Sequence, residues 1–93
     1  MKYGGTYFDV IRYKGTGSLC LTNKDSFEGV VENIKAIEEK AKANGYDNNE
    51  RWIIVRVKWK RVFDDDGVFM YDEEKRTAVA LYDNGAVKMW EKI

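Results

Sequence analysis

Ninety-three residues, 44% of them hydrophobic and 14% aromatic, supply one core and not a second, so residues 1–93 are expected to form a single globular domain. The 16 basic and 16 acidic side chains cancel, which excludes a global field drawing the protein onto DNA or an anionic membrane and leaves electrostatic recognition to a local patch. The chain has no histidine, so it lacks the ordinary general base near neutral pH, the Ser-His and Cys-His nucleophile pairs and the imidazole metal ligand; no enzyme, catalytic residue, metal site or cofactor is expected.

Cys20 is the only cysteine and cannot form an internal disulfide, which suits a reducing compartment. The first fifteen residues, MKYGGTYFDVIRYKG, hold no continuous apolar stretch and no small-residue cleavage pattern, and no segment approaches the ~18 apolar residues of a membrane helix. A cytoplasmic protein without a membrane partner is the expectation.

Tyr7 to Tyr13 is rich in β-branched and aromatic residues and reads as a strand. Lys14-Gly15-Thr16-Gly17 then reads as a turn into a second short strand, Ser18 to Thr22, giving a hairpin. Gly15-Thr16-Gly17 is too short for a phosphate cradle, having neither the third glycine of a dinucleotide fingerprint nor the Gly-Lys-Ser/Thr of a P-loop. Cys20, between Leu19 and Leu21, reads as a buried, inert thiol.

A helix follows. Asp25 is a good N-cap with Glu28 at capping-box spacing, and Phe27, Val30, Val31, Ile34, Ile37 and Ala41 recur at helical intervals to make one apolar stripe. Glu32, Lys35, Glu39 and Lys42 mark the solvated side, and Gly45 after Asn44 is the expected left-handed stop before a polar loop, Tyr46 to Glu50.

Arg51 to Phe63, RWIIVRVKWKRVF, alternates as a strand does. Its odd positions, Ile53, Val55, Val57, Trp59 and Phe63, want a core. Its even positions make a basic ladder, Arg56, Lys58 and Lys60, that begins with Trp52 and Ile54. Asp64-Asp65-Asp66-Gly67 turns the chain into Val68 to Tyr71. With Gly67 in the left-handed region, Phe63 is expected opposite Phe69, Lys60 opposite Asp72 and Lys58 opposite Glu74, so that the ladder neutralises itself. Consecutive aspartates on a tight turn diverge and lack the spacing of a calcium loop, so the turn reading is preferred to a metal site. Asp72 to Arg76 reads as a third turn or the charged middle of one bent strand; Thr77 to Asp83, Asn84-Gly85 and Ala86 to Trp90 read as a closing hairpin.

The fold class that results is α+β: ββα followed by three or four antiparallel strands, with one amphipathic helix across one face of the sheet. Trp52, Tyr71, Tyr82 and Trp90 fall near strand ends, where an amphipathic ring sits half exposed. The leading functional expectation is a non-enzymatic protein that binds a protein partner through the face or edge the helix leaves open. Trp52 and Tyr82 are its anchors, and Arg56, Lys58 and Lys60 set orientation and on-rate. A variant uses Asp64, Asp65, Asp72, Glu73 and Glu74 to mimic phosphates. A second class is a single-stranded nucleic-acid binder working through the basic strand, and a third is a homodimer formed by pairing of an exposed edge strand. In general character the chain resembles the small single-domain proteins of phages and mobile elements, anti-restriction and anti-CRISPR inhibitors among them. That resemblance rests on size, on residue usage rich in Lys, Asn, Asp, Tyr and Ile, and on the missing catalytic inventory; it implies an inhibitor of a host nuclease or defence protein.

Overall fold

The computed structural model describes residues 3–14, 17–18, 21, 24–45 and 51–91. Its elements run β1 (Gly4–Arg12), α1 (Phe27–Ala43), β2 (Arg51–Phe63), β3 (Phe69–Asp83) and β4 (Ala86–Met89), the strands forming one antiparallel sheet in the order β1-β2-β3-β4. The α+β class is as expected, but the order is βαβββ and not ββα. Of the Ser18–Thr22 strand only a single bridge, Ile11 with Ser18, is seen; Leu19, Cys20 and Thr22 lie outside the described residues. An unbroken ladder from that bridge would set Phe8 opposite Leu21. Instead Phe8 N–H donates to the Lys24 carbonyl at 2.8 Å, and Leu21, 8% exposed, fills the core. Burying that leucine is worth more than continuing a short edge ladder.

Helix α1 begins one residue later than the sequence suggests. Ser26, in extended geometry, is the N-cap, and its hydroxyl accepts from Gly29 N–H at 3.0 Å; Glu28 serves the first turn as an acid near the positive end of the helix. Asn44 and Gly45 close it, Gly45 in the left-handed region as expected. The stripe is where the periodicity puts it: Val30 and Ile34 are fully buried, with Phe27 and Val31 beside them.

This stripe covers the half of the sheet made by Phe8, Val10, Trp52, Ile54, Ala80 and Tyr82. The covered face of β2 is therefore the one with even numbers, where Trp52 and Ile54 stand. Val55 and Val57 point the other way and are nonetheless 5% and 0% exposed. They are roofed from their own sheet. Tyr7 and Asp9 on β1 flank Val57 and Val55, with Arg76 and Ala78 on the far side. Arg76 Nη2 donates to Asp9 Oδ2 at 3.0 Å, and the Tyr7 hydroxyl donates to Glu74 Oε1 at 3.4 Å, so both bridges cross over β2. The sheet is thus closed on one side by a helix and on the other by a lattice of side chains.

Glu38 interrupts the apolar stripe and is buried with it. The Tyr82 hydroxyl donates to its Oε2 at 3.4 Å, while its Oε1 has no partner among the described residues. Burial pushes the Glu38 carboxyl above its usual range and Asp83 adds to this, outweighing the Tyr82 hydrogen bond and the Lys42 charge that pull it down. A carboxyl whose folded pKa is raised favours the protonated fold, so its ionisation costs stability as pH rises through the folded value, and that cost disappears as pH falls towards the unfolded one. Glu38→Gln is therefore expected to stabilise the protein at pH 7 by about 1 kcal/mol. Urea titrations at pH 7 and in the carboxylate range should show the gain shrinking as the pH is lowered.

Strand β3 is one continuous element, the bent alternative for Asp72 to Arg76, and it carries two extra residues. Ile54 and Val55 pair with Ala80 and Ala78, leaving Val79 as a bulge; Val62 and Phe63 pair with Tyr71 and Phe69, leaving Met70 as another. The turn before it has the expected form: Gly67 is left-handed, Asp64 N–H donates to Val68 O at 2.9 Å, and Phe63 faces Phe69. The Met70 bulge then shifts the register by one. Lys60 faces Glu73, Trp59 faces Glu74 and Lys58 faces Lys75, in place of the expected Lys60–Asp72 and Lys58–Glu74 pairs. At the other end Asn84 and Gly85 both have positive φ, 48° and 89°, as the two-residue hairpin turn requires.

β2 and β3 run past the helix together. The molecule measures 56 × 26 × 24 Å, with a radius of gyration of 15.9 Å against roughly 12 Å for a compact chain of this length. The excess length is a two-stranded arm flanked on one side by the start of β1.

Candidate interaction surface

The arm has two faces of different chemistry. On the face away from the helix β2 presents Trp59, Arg61 and Phe63. The Tyr3 ring meets the Phe63 ring edge to face at 5.0 Å, Phe63 meets Phe69 at 6.5 Å, and the Arg61 guanidinium lies 5.0 Å over Phe69. Arg61 Nε also donates to Asp72 Oδ1 at 3.1 Å, which holds the cation against the ring. Trp59 is half-buried, and a shallow depression beside it is lined by Gly5, Tyr7 and Lys24. Tyr3, Phe63, Val68, Phe69, Met70 and Tyr71 are all exposed, most by half or more. A small protein rarely gathers this many large apolar side chains at one extremity without covering them.

The opposite face of the arm is basic. Arg56 Nη2 donates to Glu91 Oε2 at 3.1 Å and Lys60 Nζ lies 3.2 Å from Glu73 Oε2, so part of the ladder is neutralised. Lys58 and Lys75 stand directly opposite each other, and among the described residues neither has an ion pair.

The residues singled out from sequence are scattered by the fold. Trp52 is 4% exposed and Tyr82 1%, so both are core residues beneath α1 and not surface anchors. Trp52 and Tyr82 are cross-strand partners whose even-numbered side of β2 meets the helix; their place near strand ends gave no sign of this. Arg56, Lys58 and Lys60 do share one face. Of the acids, Asp64 Oδ1 accepts from Asp66 N–H and Val68 N–H within its own turn, Asp72 holds Arg61, Glu73 holds Lys60 and Glu74 holds Tyr7. Each of these four exposed acids thus has a partner within the arm or beside it. Asp65 is exposed at the turn. Tyr71 and Trp90 are half exposed as expected, at 52% and 43%.

The aromatic group Tyr3, Phe63 and Phe69 was missed. Its one signal in the sequence is the expected Phe63–Phe69 pairing, which the fold places on an arm clear of the helix. Asp9 is the second omission. Burial pushes its carboxyl up, but the Arg76 hydrogen bond and the charges of Lys24 and Arg76 outweigh that and hold it below the usual range. Among the described residues, no helix is long and apolar enough to cross a membrane, and no group of Cys, Asp and Glu side chains is placed to hold a metal ion. No protein-family model matches the chain, and comparison with known proteins and with solved structures gives no match.

Proposed function

We propose that this is a non-enzymatic binding protein that engages a protein partner through the helix-free face of its arm. The observation that carries the reading is the exposed aromatic group Tyr3, Phe63 and Phe69 with Arg61 laid on it, the residue types that dominate binding energy at protein interfaces. The half-buried Trp59 extends the group towards the core. Phe63→Ser/Phe69→Ser is expected to abolish capture of the partner in a pull-down from the native host while leaving the circular dichroism spectrum unchanged, because both rings lie outside the helix-covered core. Capture equal to the wild type would overturn the reading.

A single-stranded nucleic-acid reading is favoured only by Lys58 and Lys75 on the opposite face, which have no ion pair among the described residues. Salt-sensitive oligonucleotide binding, lost in Lys58→Glu/Lys60→Glu, would establish it in place of the first. The narrower reading, an inhibitor of a host nuclease or defence protein, rests on size, residue usage and the missing catalytic inventory.

A further inference from the structure

The sheet's edges are not treated alike. β1 is screened by the chain that follows it, through Arg12 N–H to Gly17 O, Phe8 N–H to Lys24 O and the Ile11–Ser18 bridge. β4 is only four residues long. On the outer side of β3, β4 pairs with Ala80 to Asp83, and the Val79 carbonyl accepts from Trp90 N–H and Glu91 N–H. Among the described residues, nothing pairs with that side of β3 from Phe69 to Ala78. A long unpaired strand edge is a template for another strand, and natural proteins normally blunt it.

We propose that this edge is the seam of a two-fold homodimer, β3 pairing antiparallel with β3 of a second copy and Glu74 on the axis. The inference goes beyond the partner reading above and does not rest on it. Two independent features choose this register. The bulges at Met70 and Val79 leave Tyr71 to Ala78 as the regular part of the strand, and an axis at Glu74 pairs Tyr71 with Thr77 of the second copy, using nearly all of it. The same axis sets Glu73 opposite Lys75 and Asp72 opposite Arg76, each pair occurring twice by symmetry. An axis at Glu73 would instead put Asp72 against Glu74 twice, and an axis at Lys75 would keep only the Glu74–Arg76 pairs. A parallel in-register pairing would set every charge against itself. The block order, three acids then two bases, is thus self-complementary in one arrangement, whereas an edge charged merely for protection has no need of that order.

The single like pair, Glu74 with its copy, sits where Tyr7 already donates to the carboxylate. Asp72, Glu73 and Arg76 keep their present partners, Arg61, Lys60 and Asp9, and the new contacts extend those pairs into networks that take in Lys75. Beyond the seam the end of each arm, with Phe69 and Met70, arrives where the other copy exposes Met89 and Trp90, 45% and 43% open in the isolated chain. The exposed apolar regions at the end of the arm and at the end of β4 thereby meet. Because the axis is perpendicular to the sheet, the helix-free faces of both copies point the same way and join into one surface.

Sedimentation velocity of the full chain, from low to high micromolar concentration, tests this. The expected result is a species of twice 10.8 kDa that dissociates on dilution. Lys75→Glu alone sets Glu73 against a glutamate, and Glu73→Lys alone sets a lysine against Lys75. Each should weaken the dimer by about tenfold, while an equimolar mixture of the two variants should recover a heterodimer at wild-type strength. A wild type that stays monomeric throughout overturns the proposal, as do variants that dimerise unchanged or a mixture that shows no recovery. Circular dichroism of each variant separates loss of pairing from loss of fold.

Discussion

Trp52→Ala is expected to lower the unfolding free energy by about 4 kcal/mol, within the range for truncating a buried aromatic ring. For a domain of this size that corresponds to a fall of roughly 20 °C in the melting temperature. The ring lies under α1 in one cluster with Val30, Ile34, Ile54 and Tyr82, and the Arg12 guanidinium lies over it, 5.7 Å from its centroid. Its indole nitrogen has no hydrogen-bond partner among the described residues, so Trp52→Phe sacrifices volume and no bond, and should cost about 1 kcal/mol. A surface tryptophan would behave differently: alanine there changes stability by no more than about 0.5 kcal/mol. A thermal midpoint unchanged in Trp52→Ala would mean that the helix covers the other face.

Val57→Asp is the second large effect, a loss of about 4 kcal/mol or more in a urea titration at pH 7. This residue stands on the face away from the helix, yet it is fully buried, and a carboxylate there would be shut beneath the Tyr7–Glu74 and Asp9–Arg76 bridges, beside two other acids. The next residue gives the contrast. Lys58 is exposed and faces Lys75, so Lys58→Glu replaces a like-charge pair with an opposite one and should stabilise by a few tenths of a kcal/mol. Consecutive substitutions of similar charge should thus differ in sign. Equal effects would show that the side-chain lattice does not seal its face.

Local signals in the sequence were faithful wherever the physics was local. The helical stripe from Phe27 to Ala41, the bounds of β2, the left-handed Gly67 and the Asn84-Gly85 turn all followed from spacing and backbone sterics. What failed depended on something far along the chain. The alternation in β2 showed two faces but not which one the helix would take, because Trp52 and Ile54 are chosen by Val30 and Ile34, and Val55 and Val57 by Asp9 and Arg76. Single-residue bulges at Met70 and Val79 leave no mark in composition, yet the first changed every charge pair along the arm. The candidate site was half legible. The cations share a face as expected, whereas the two proposed anchors are core residues and the exposed rings are Tyr3, Phe63 and Phe69.

β2 belongs to two structures at once, the middle of the core at one end and the arm at the other, and β3 does the same beside it. Neither strand contains glycine or proline, and from Tyr71 to Ala78 the pairing of β3 with β2 runs without a bulge, so this part of the arm is one continuous ribbon. At ~3.3 Å per residue the stretch from Phe69 to Ala78 reaches about 30 Å, and its direction is set where β3 pairs with the buried Val55. Such a rod behaves as a lever with a fixed fulcrum. Whatever docks at its end is held at a set distance and angle from α1, with little freedom left to lose on binding.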